Sequence, residues 1–318
     1  MKCDFGVYSR SKMWYNWGMV NEILRKRIEN LGVMYRALRE YQPKAEWEIT
    51  LSEIPEQVYN SNAIENSTLT LKDTEDILIR GQIQRDAEVR EIYEAKNLGR
   101  AMELLATNPN QNLTVELILA LHGILLAGIN DKLAGRFRAG NEWVRVGTHV
   151  GANPDFVNKL VFQLVENYNK DERELIEKIA YFHDEFEYIH PFGDGNGRIG
   201  RVLLNQQLMK EGWPPIMIPA KNKNQEYYPV LDAYDKRNDT GPLEEYIAIL
   251  LIEALNKRLA FLQGKRVVTV KEWAEKNGAN VNAVLNKAKR QTIPAFRQNE
   301  RWMIAEDFVD GEGVEVGS

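Results

Sequence analysis

The sequence predicts a mainly α-helical fold. Apolar residues recur at helical spacing along most of it, as in Ile23, Leu24, Ile28, Leu31 and Tyr35, or Leu113, Leu117, Leu121 and Leu125. Strand character is confined to residues 143–147 and to two short runs near the C-terminus. A glycine-rich turn at 193–197 joins two of the predicted helices. The pattern divides the chain into an N-terminal helical extension (1–48), a helical core bearing one small β-hairpin (49–262), and a separable C-terminal module (265–318).

Taken in order, residues 1–48 open with Phe5, Tyr8, Trp14, Tyr15 and Trp17, read as packing aromatics, and continue as a helix over 20–41 that Pro43 ends. Pro55 is expected to open the next helix, and a further one starts at Asp73. Residues 84–106 are charged and helical in pattern, stopped at Asn108-Pro109-Asn110. The helix over 113–128 contains His122, read as a packed or surface histidine. Two short strands around 143–147 form the hairpin, followed by an amphipathic helix over 156–170 and then the helices flanking the glycine turn. Gly212-Trp213-Pro214-Pro215 stops the second of these, and a long helix over 243–262 closes the core.

The composition bounds the function. In 318 residues, 44% hydrophobic and 27% charged content describe a soluble globular chain with a sizeable core. A single cysteine, Cys3, excludes an internal disulfide framework. No apolar run reaches the ~20 residues of a membrane span, and Met1-Lys2-Cys3-Asp4 lacks an apolar signal core, so a cytoplasmic location without membrane partners is expected. The net charge of −5 is uneven: residues 265–301 carry nine basic and three acidic side chains, leaving −11 for the remainder. An acidic body with a basic appendage suggests different partners for the two parts.

The chemistry gathers between His190 and Arg201. Ile179, Phe182, Phe186 and Ile189 carry a buried helix into the stretch, and Pro191 ends it near His190. Gly193, Gly195 and Gly197 allow a tight turn with exposed N–H groups. A second helix then starts near Asn196 or Gly197, with Arg198, Arg201 and Asn205 on one exposed face. A glycine loop feeding a helix N-terminus suits phosphate, and two arginines add charge-assisted contacts. Asp194 is a hard oxygen ligand suited to Mg²⁺, and His190 is the natural proton acceptor. Base, metal ligand and phosphate cradle together suggest transfer of a phosphorus group to a hydroxyl.

This stretch resembles the signature of Fic-domain proteins, H-P-F-x-[D/E]-G-N-G-R-x-x-R, at every fixed position, and His183, Phe186, Glu187 and Ile189 resemble its lead-in. The resemblance extends over residues 55–255 and implies AMP transfer from ATP to a protein Ser, Thr or Tyr hydroxyl. It implies His190 as base, Asp194 as Mg²⁺ ligand, and Gly195, Asn196 and Gly197 as the α/β-phosphate cradle. Arg198 and Arg201 fall on the outer phosphates, Phe192 is a nucleotide-side core anchor, and Tyr227 and Tyr228 fall near the adenine. Ser61, Glu65 and Asn66 are similar to the family's inhibitory [S/T]-x-x-x-E-[G/N] helix, which implies that Glu65 pairs with Arg201; in some relatives this glutamate instead helps remove AMP. Gly135-Arg136-Phe137-Arg138 resembles the family's G-x-[FY]-R, and the hairpin after it its flap, so a target protein is expected to pair along residues 137–149. Gly151-Ala152-Asn153-Pro154 departs from the prolines common there, and His149 is read as a surface histidine.

In the C-terminal module, helices over 270–276 and 281–290 and strands over 293–297 and 301–304 resemble an excisionase-like winged helix. Lys287, Lys289, Arg290, Arg297 and Arg301 could meet DNA phosphates, the alternative being a protein-docking face. Residues 311–318 read as a disordered tail. No motif addresses oligomeric state; a homodimer is an expectation without one. Three other readings compete: transfer of a different phosphorus-containing group, a DNA-binding regulator with an inert core, and, remotely, an HD-type metal phosphohydrolase using His122, His183, Asp184 and Asp232.

Overall fold

A computed structural model describes residues 18–83, 85–146 and 149–310. The aromatics before residue 18, Cys3 and the 311–318 tail lie outside the described residues. The chain is mainly helical: α1 (Gly18–Tyr41), α2 (Pro43–Ile64), α3 (Leu71–Glu75), α4 (Val89–Thr107), α5 (Val115–Leu126), the hairpin β1 (Arg145–Val146) and β2 (His149–Val150), α6 (Val157–Lys170), α7 (Leu175–Ile189), α8 (Asn196–Lys210), α9 (Tyr228–Arg237) and α10 (Gly241–Leu262). The C-terminal module adds β3 (Val267–Thr269), α11 (Val270–Lys276), α12 (Val281–Lys289), β4 (Phe296–Gln298) and β5 (Arg301–Ala305). No helix among the described residues is long and apolar enough to cross a membrane.

Local chemistry explains most boundaries. Pro43 does not only end α1; it occupies the first turn of α2, where a missing N–H costs nothing. Thr114 caps α5 by accepting the Leu117 N–H. Thr70 and Asp73 close a capping box at α3. Pro55 departs from expectation: it lies inside α2 rather than opening a helix, so the boundary drawn at 48/49 falls mid-helix. An interior proline costs about 3 kcal/mol. Packing against α10 overrides that cost: Arg258, fully buried, ion-pairs with Glu46 and Glu53 of α2, and Lys257 with Glu53 and Glu56.

One apolar core runs through α1 to α10 and contains Val58, Leu98, Leu121, Phe186, Phe192 and Ile199. A second, around Val270, Trp273, Val284 and Ile304, belongs to the C-terminal module. That module contains three strands rather than two. They are antiparallel in the order β3-β5-β4, with Val268 opposite Ile304 and Arg297 opposite Trp302. β4 packs on α10, where Arg297 forms a buried ion pair with Glu253 at 2.6 Å.

Candidate active site

α7 delivers His190 and α8 begins at Asn196, so five residues, 191–195, form the turn between them. His190 caps α7 in the left-handed region (φ 51°), and its N–H donates to the Phe186 carbonyl. Such a conformation costs a non-glycine residue about 1–3 kcal/mol. Arg138, fully buried, offsets it by donating to the carbonyls of Ile189, His190 and Ala152, while its own N–H donates to the Pro191 carbonyl. The G-x-[FY]-R arginine thus ties the loop before the hairpin to the turn that carries His190.

The imidazole is oriented by its neighbours. Nδ1 of His190 lies 3.2 Å from the Glu187 carbonyl, which can only accept. Nδ1 therefore carries the hydrogen, and Nε2 is left with a lone pair. Burial lowers the His190 pKa to about 4, so the ring is neutral at pH 7. A neutral, oriented imidazole is a base in its working state.

The turn is held open from below. Gly195 adopts φ 84°, and a Cβ there would meet Leu125 at 2.8 Å, so glycine is required on both counts. Phe192 is fully buried; it stacks on His122 (ring centroids 3.6 Å apart) and packs against Phe137. It anchors the turn and leaves no surface for a nucleotide. The Asn196 side chain accepts from the Phe192 N–H and donates to the Phe192 carbonyl, both at 2.8 Å. It staples the turn, and only its backbone N–H is free to face a ligand. His122 was not recognisable as part of the site from sequence. Its Nδ1 accepts the Gly135 N–H, which leaves Nε2 to donate to the Asp194 carbonyl. With both ring nitrogens used, it is a fixed joint rather than a metal ligand.

The two arginines of α8 are buried, not exposed as the sequence suggested, because carboxylates from other helices cover them. Arg201 donates to the Ser61 hydroxyl and carbonyl, each at 2.9 Å, and to Glu65 Oε1 at 2.8 Å. Burial raises the Glu65 pKa, but the attraction of Arg201 outweighs it and holds the carboxyl below its ordinary value. Arg198 pairs with Asp194 and with Glu94 of α4. Asn66 sits in the left-handed region just past α2, and its side chain, with the carbonyls of Ala63 and Ile64, accepts from Lys223.

Tyr227 is placed differently from expectation. Tyr227 is buried, with its hydroxyl 2.7 Å from His183 Nε2 and its ring beside Tyr246, so it offers no face to a base. Tyr228 is partly exposed and donates to the Ile64 carbonyl, tying α9 to the end of α2. The hairpin pairs Arg145 with Val150 and Val146 with His149, and His149 stacks on Tyr188. His122, His183, Asp184 and Asp232 do not converge, and no cluster of three or more His, Cys, Asp or Glu side chains forms among the described residues. In the C-terminal module, Arg297 is committed to Glu253 and Lys287 to Asp310. The Arg297 pair is largely buried, whereas that of Lys287 lies at the surface.

Comparison with known proteins agrees with this geometry. Residues 112–208 match the Fic/DOC family. The chain is 32% identical over 199 residues to the protein adenylyltransferase fic-1 of Caenorhabditis elegans, covering 60% of this chain and 38% of that protein. It is 30% identical over 270 residues to the protein adenylyltransferase Fic of Aedes aegypti, covering 83% and 51%. The chain therefore spans about half or less of the length of these relatives. Among solved structures, a Fic-domain signaling protein of Bacteroides thetaiotaomicron is similar with TM-score 0.69 and 26% identity, over 76% of this chain and 98% of that one. A Fic-1 fragment from C. elegans is similar with TM-score 0.67 and 27% identity, over 77% and 74%.

Proposed function

From the match of residues 112–208 to the Fic/DOC family we propose that the chain transfers AMP from ATP to a hydroxyl of a target protein, with Glu65 as its own restraint. The observation that carries the reading is the neutral, oriented His190 at the mouth of a glycine turn that leads into the N-terminus of α8. Nε2 of His190 takes the hydroxyl proton as the oxygen attacks the α-phosphorus. The bond from that phosphorus to the pyrophosphate oxygen breaks, and pyrophosphate leaves. The N–H groups at the start of α8 and the guanidinium groups of Arg198 and Arg201 hold the phosphates and meet the developing charge; one such donor is worth ~10²–10³ in rate elsewhere. The hairpin would hold the target segment by strand pairing, which fixes the hydroxyl without demanding a sequence.

Mg²⁺ suits the donor set. Asp194 is a partly exposed carboxylate at the turn, and Mg²⁺ commonly rests on one or two carboxylates plus phosphate oxygens. When bound, the ion would neutralise phosphate charge. The restraint is electrostatic: Glu65 holds the guanidinium that the γ-phosphate needs, so ATP enters with its phosphates out of line.

Transfer from ATP labelled on the α-phosphate tests both parts. Label should reach protein with Glu65→Gly and disappear when His190→Ala is added. Equal labelling by wild type and Glu65→Gly would sink the restraint; labelling that survives His190→Ala would sink the base.

A further inference from the structure

We propose that Arg90 is a positioning residue that holds Asp194 in reserve and so sets how much divalent cation the site requires. The inference rests on the reading of Asp194 as the metal ligand given above. Arg90 lies in the first turn of α4, before the matched residues 112–208, and nothing in its own sequence context marks it. Its Nη2 reaches Asp194 Oδ2 at 2.6 Å, and its Nε donates to Glu94 Oε1 at 3.0 Å. The same Glu94 oxygen lies 3.0 Å from Arg198 Nη1, and Arg198 Nη2 lies 3.1 Å from Asp194 Oδ1. Two guanidinium groups and two carboxylates thus alternate in a closed ring, and both oxygens of Asp194 are taken.

The two arginines are not equivalent. The Arg198 side chain is 4% exposed and that of Arg90 55% exposed. Arg90 is the partner that solvent can replace, so it is the one that can leave. A Mg²⁺ ion needs its oxygen ligands at about 2.0–2.1 Å in an octahedral shell. A guanidinium against the same oxygen cannot share that position with a dication. Cation entry therefore requires Arg90 to swing away, and the ion competes with it for Asp194.

The same turn of α4 also touches the restraining segment. Glu91, the next residue, accepts the Thr68 N–H and hydroxyl, three residues past Glu65. One helical turn thus braces the end of the segment that blocks Arg201 and occupies the carboxylate that the metal needs.

The test follows binding, not turnover, in the full chain carrying Glu65→Gly so that the restraint does not mask the site. The probe is fluorescent α,β-methylene-ATP, which cannot transfer AMP, titrated at increasing Mg²⁺. Arg90→Ala should lower the Mg²⁺ concentration for half-maximal binding about two- to fivefold, the scale of one exposed ion pair. Asp194→Ala should remove the Mg²⁺ dependence, and Arg90→Ala should then have no effect on it. An unchanged or raised Mg²⁺ requirement in Arg90→Ala, with the Mg²⁺ dependence lost in Asp194→Ala, overturns the inference alone. An Asp194→Ala chain that keeps the original Mg²⁺ dependence overturns the metal assignment and the inference with it.

Discussion

The carboxylate of Glu65 rests directly against the backbone of Gly197. A methyl group on Gly197 would lie 2.4 Å from Glu65 Oε1 and 2.9 Å from Arg201 Nη1. Glu65 thus does more than neutralise Arg201: it stands at the N-terminus of α8, on the ground a phosphate would take. Gly197 has an ordinary helical position, and a helical alanine is favoured over glycine by up to about 1 kcal/mol. In the wild-type background Gly197→Ala should nonetheless lower the melting temperature, because the methyl group pushes Glu65 off the buried Arg201; with Glu65→Gly that displacement is gone, yet nucleotide binding should still weaken by at least about tenfold, because the methyl group fills the cradle. Binding and melting curves on the two variants decide it; wild-type affinity would mean that phosphate sits elsewhere.

Ser61 separates holding Arg201 in place from blocking it. Its hydroxyl and carbonyl fix the guanidinium, but it carries no charge. Ser61→Ala removes one charge-assisted hydrogen bond and should cost about 1–2 kcal/mol in stability. Transfer should rise less than with Glu65→Gly, because the carboxylate stays beside Gly197. Rates of α-label transfer and urea midpoints measure the two effects; a Ser61→Ala rate that equals that of Glu65→Gly would make alignment of Arg201, not charge, the restraint.

Sequence made the line of the site legible but not its bracing. The His190–Arg201 stretch, the ends of α7 and α8, and the pairing of Glu65 with Arg201 follow from residues whose type, spacing or family resemblance already expresses their chemistry. The residues that hold them do not advertise themselves. His122 works through the Asp194 carbonyl and the Gly135 N–H, and Arg138 through three carbonyls; any residue can supply a carbonyl, so no sequence pattern marks the contact. Burial misled in the same way. Arg198 and Arg201 look solvated on a helical wheel until Glu94 and Glu65 arrive from distant segments. The aromatic pair Tyr227 and Tyr228 offers no hint of which ring turns inward; the packing of Tyr246 and His183 settles it.

Arg297 fixes the C-terminal module to the body. Its guanidinium reaches both oxygens of Glu253, and its backbone N–H donates to the same carboxylate at 2.8 Å. Arg297→Ala would leave Glu253 charged and buried, at a cost of about 3–5 kcal/mol. Pairing Arg297→Met with Glu253→Leu should recover most of that, since the charge is removed with its partner. Urea unfolding of the three chains checks it. A mild Arg297→Ala phenotype would mean that the module separates readily from α10 and lets water reach Glu253.

Stability should peak at about pH 6, for reasons of sign. Burial lowers the pKa of His122 to about 4, of His183 to about 3 and of His190 to about 4. Between those values and 6.5 the unfolded chain binds three protons that the folded chain refuses, so these groups destabilise the fold as pH falls through that window. Burial also raises Asp184 to about 9 and Glu187 to about 8; both oxygens of Asp184 and one of Glu187 lack hydrogen-bond partners. Both carboxyls are protonated in the folded chain at pH 7 and ionised in the unfolded one, so their contribution is whole below the ordinary carboxylate range and is lost as pH rises toward 8 and 9. From pH 5 to about 6 three histidines oppose two carboxyls, and stability climbs by at most roughly tenfold in the folding equilibrium per pH unit. Above about pH 6 the histidine contribution fades and the two carboxyls pull it down. Urea midpoints at pH 5.5, 6.5 and 8 should trace this maximum. Asp184→Asn, which cannot ionise, should flatten the alkaline side by about half and steepen the acid side, since one of the two opposing carboxyls is gone. An alkaline slope that Asp184→Asn does not change would mean that Asp184 is already ionised in the folded chain.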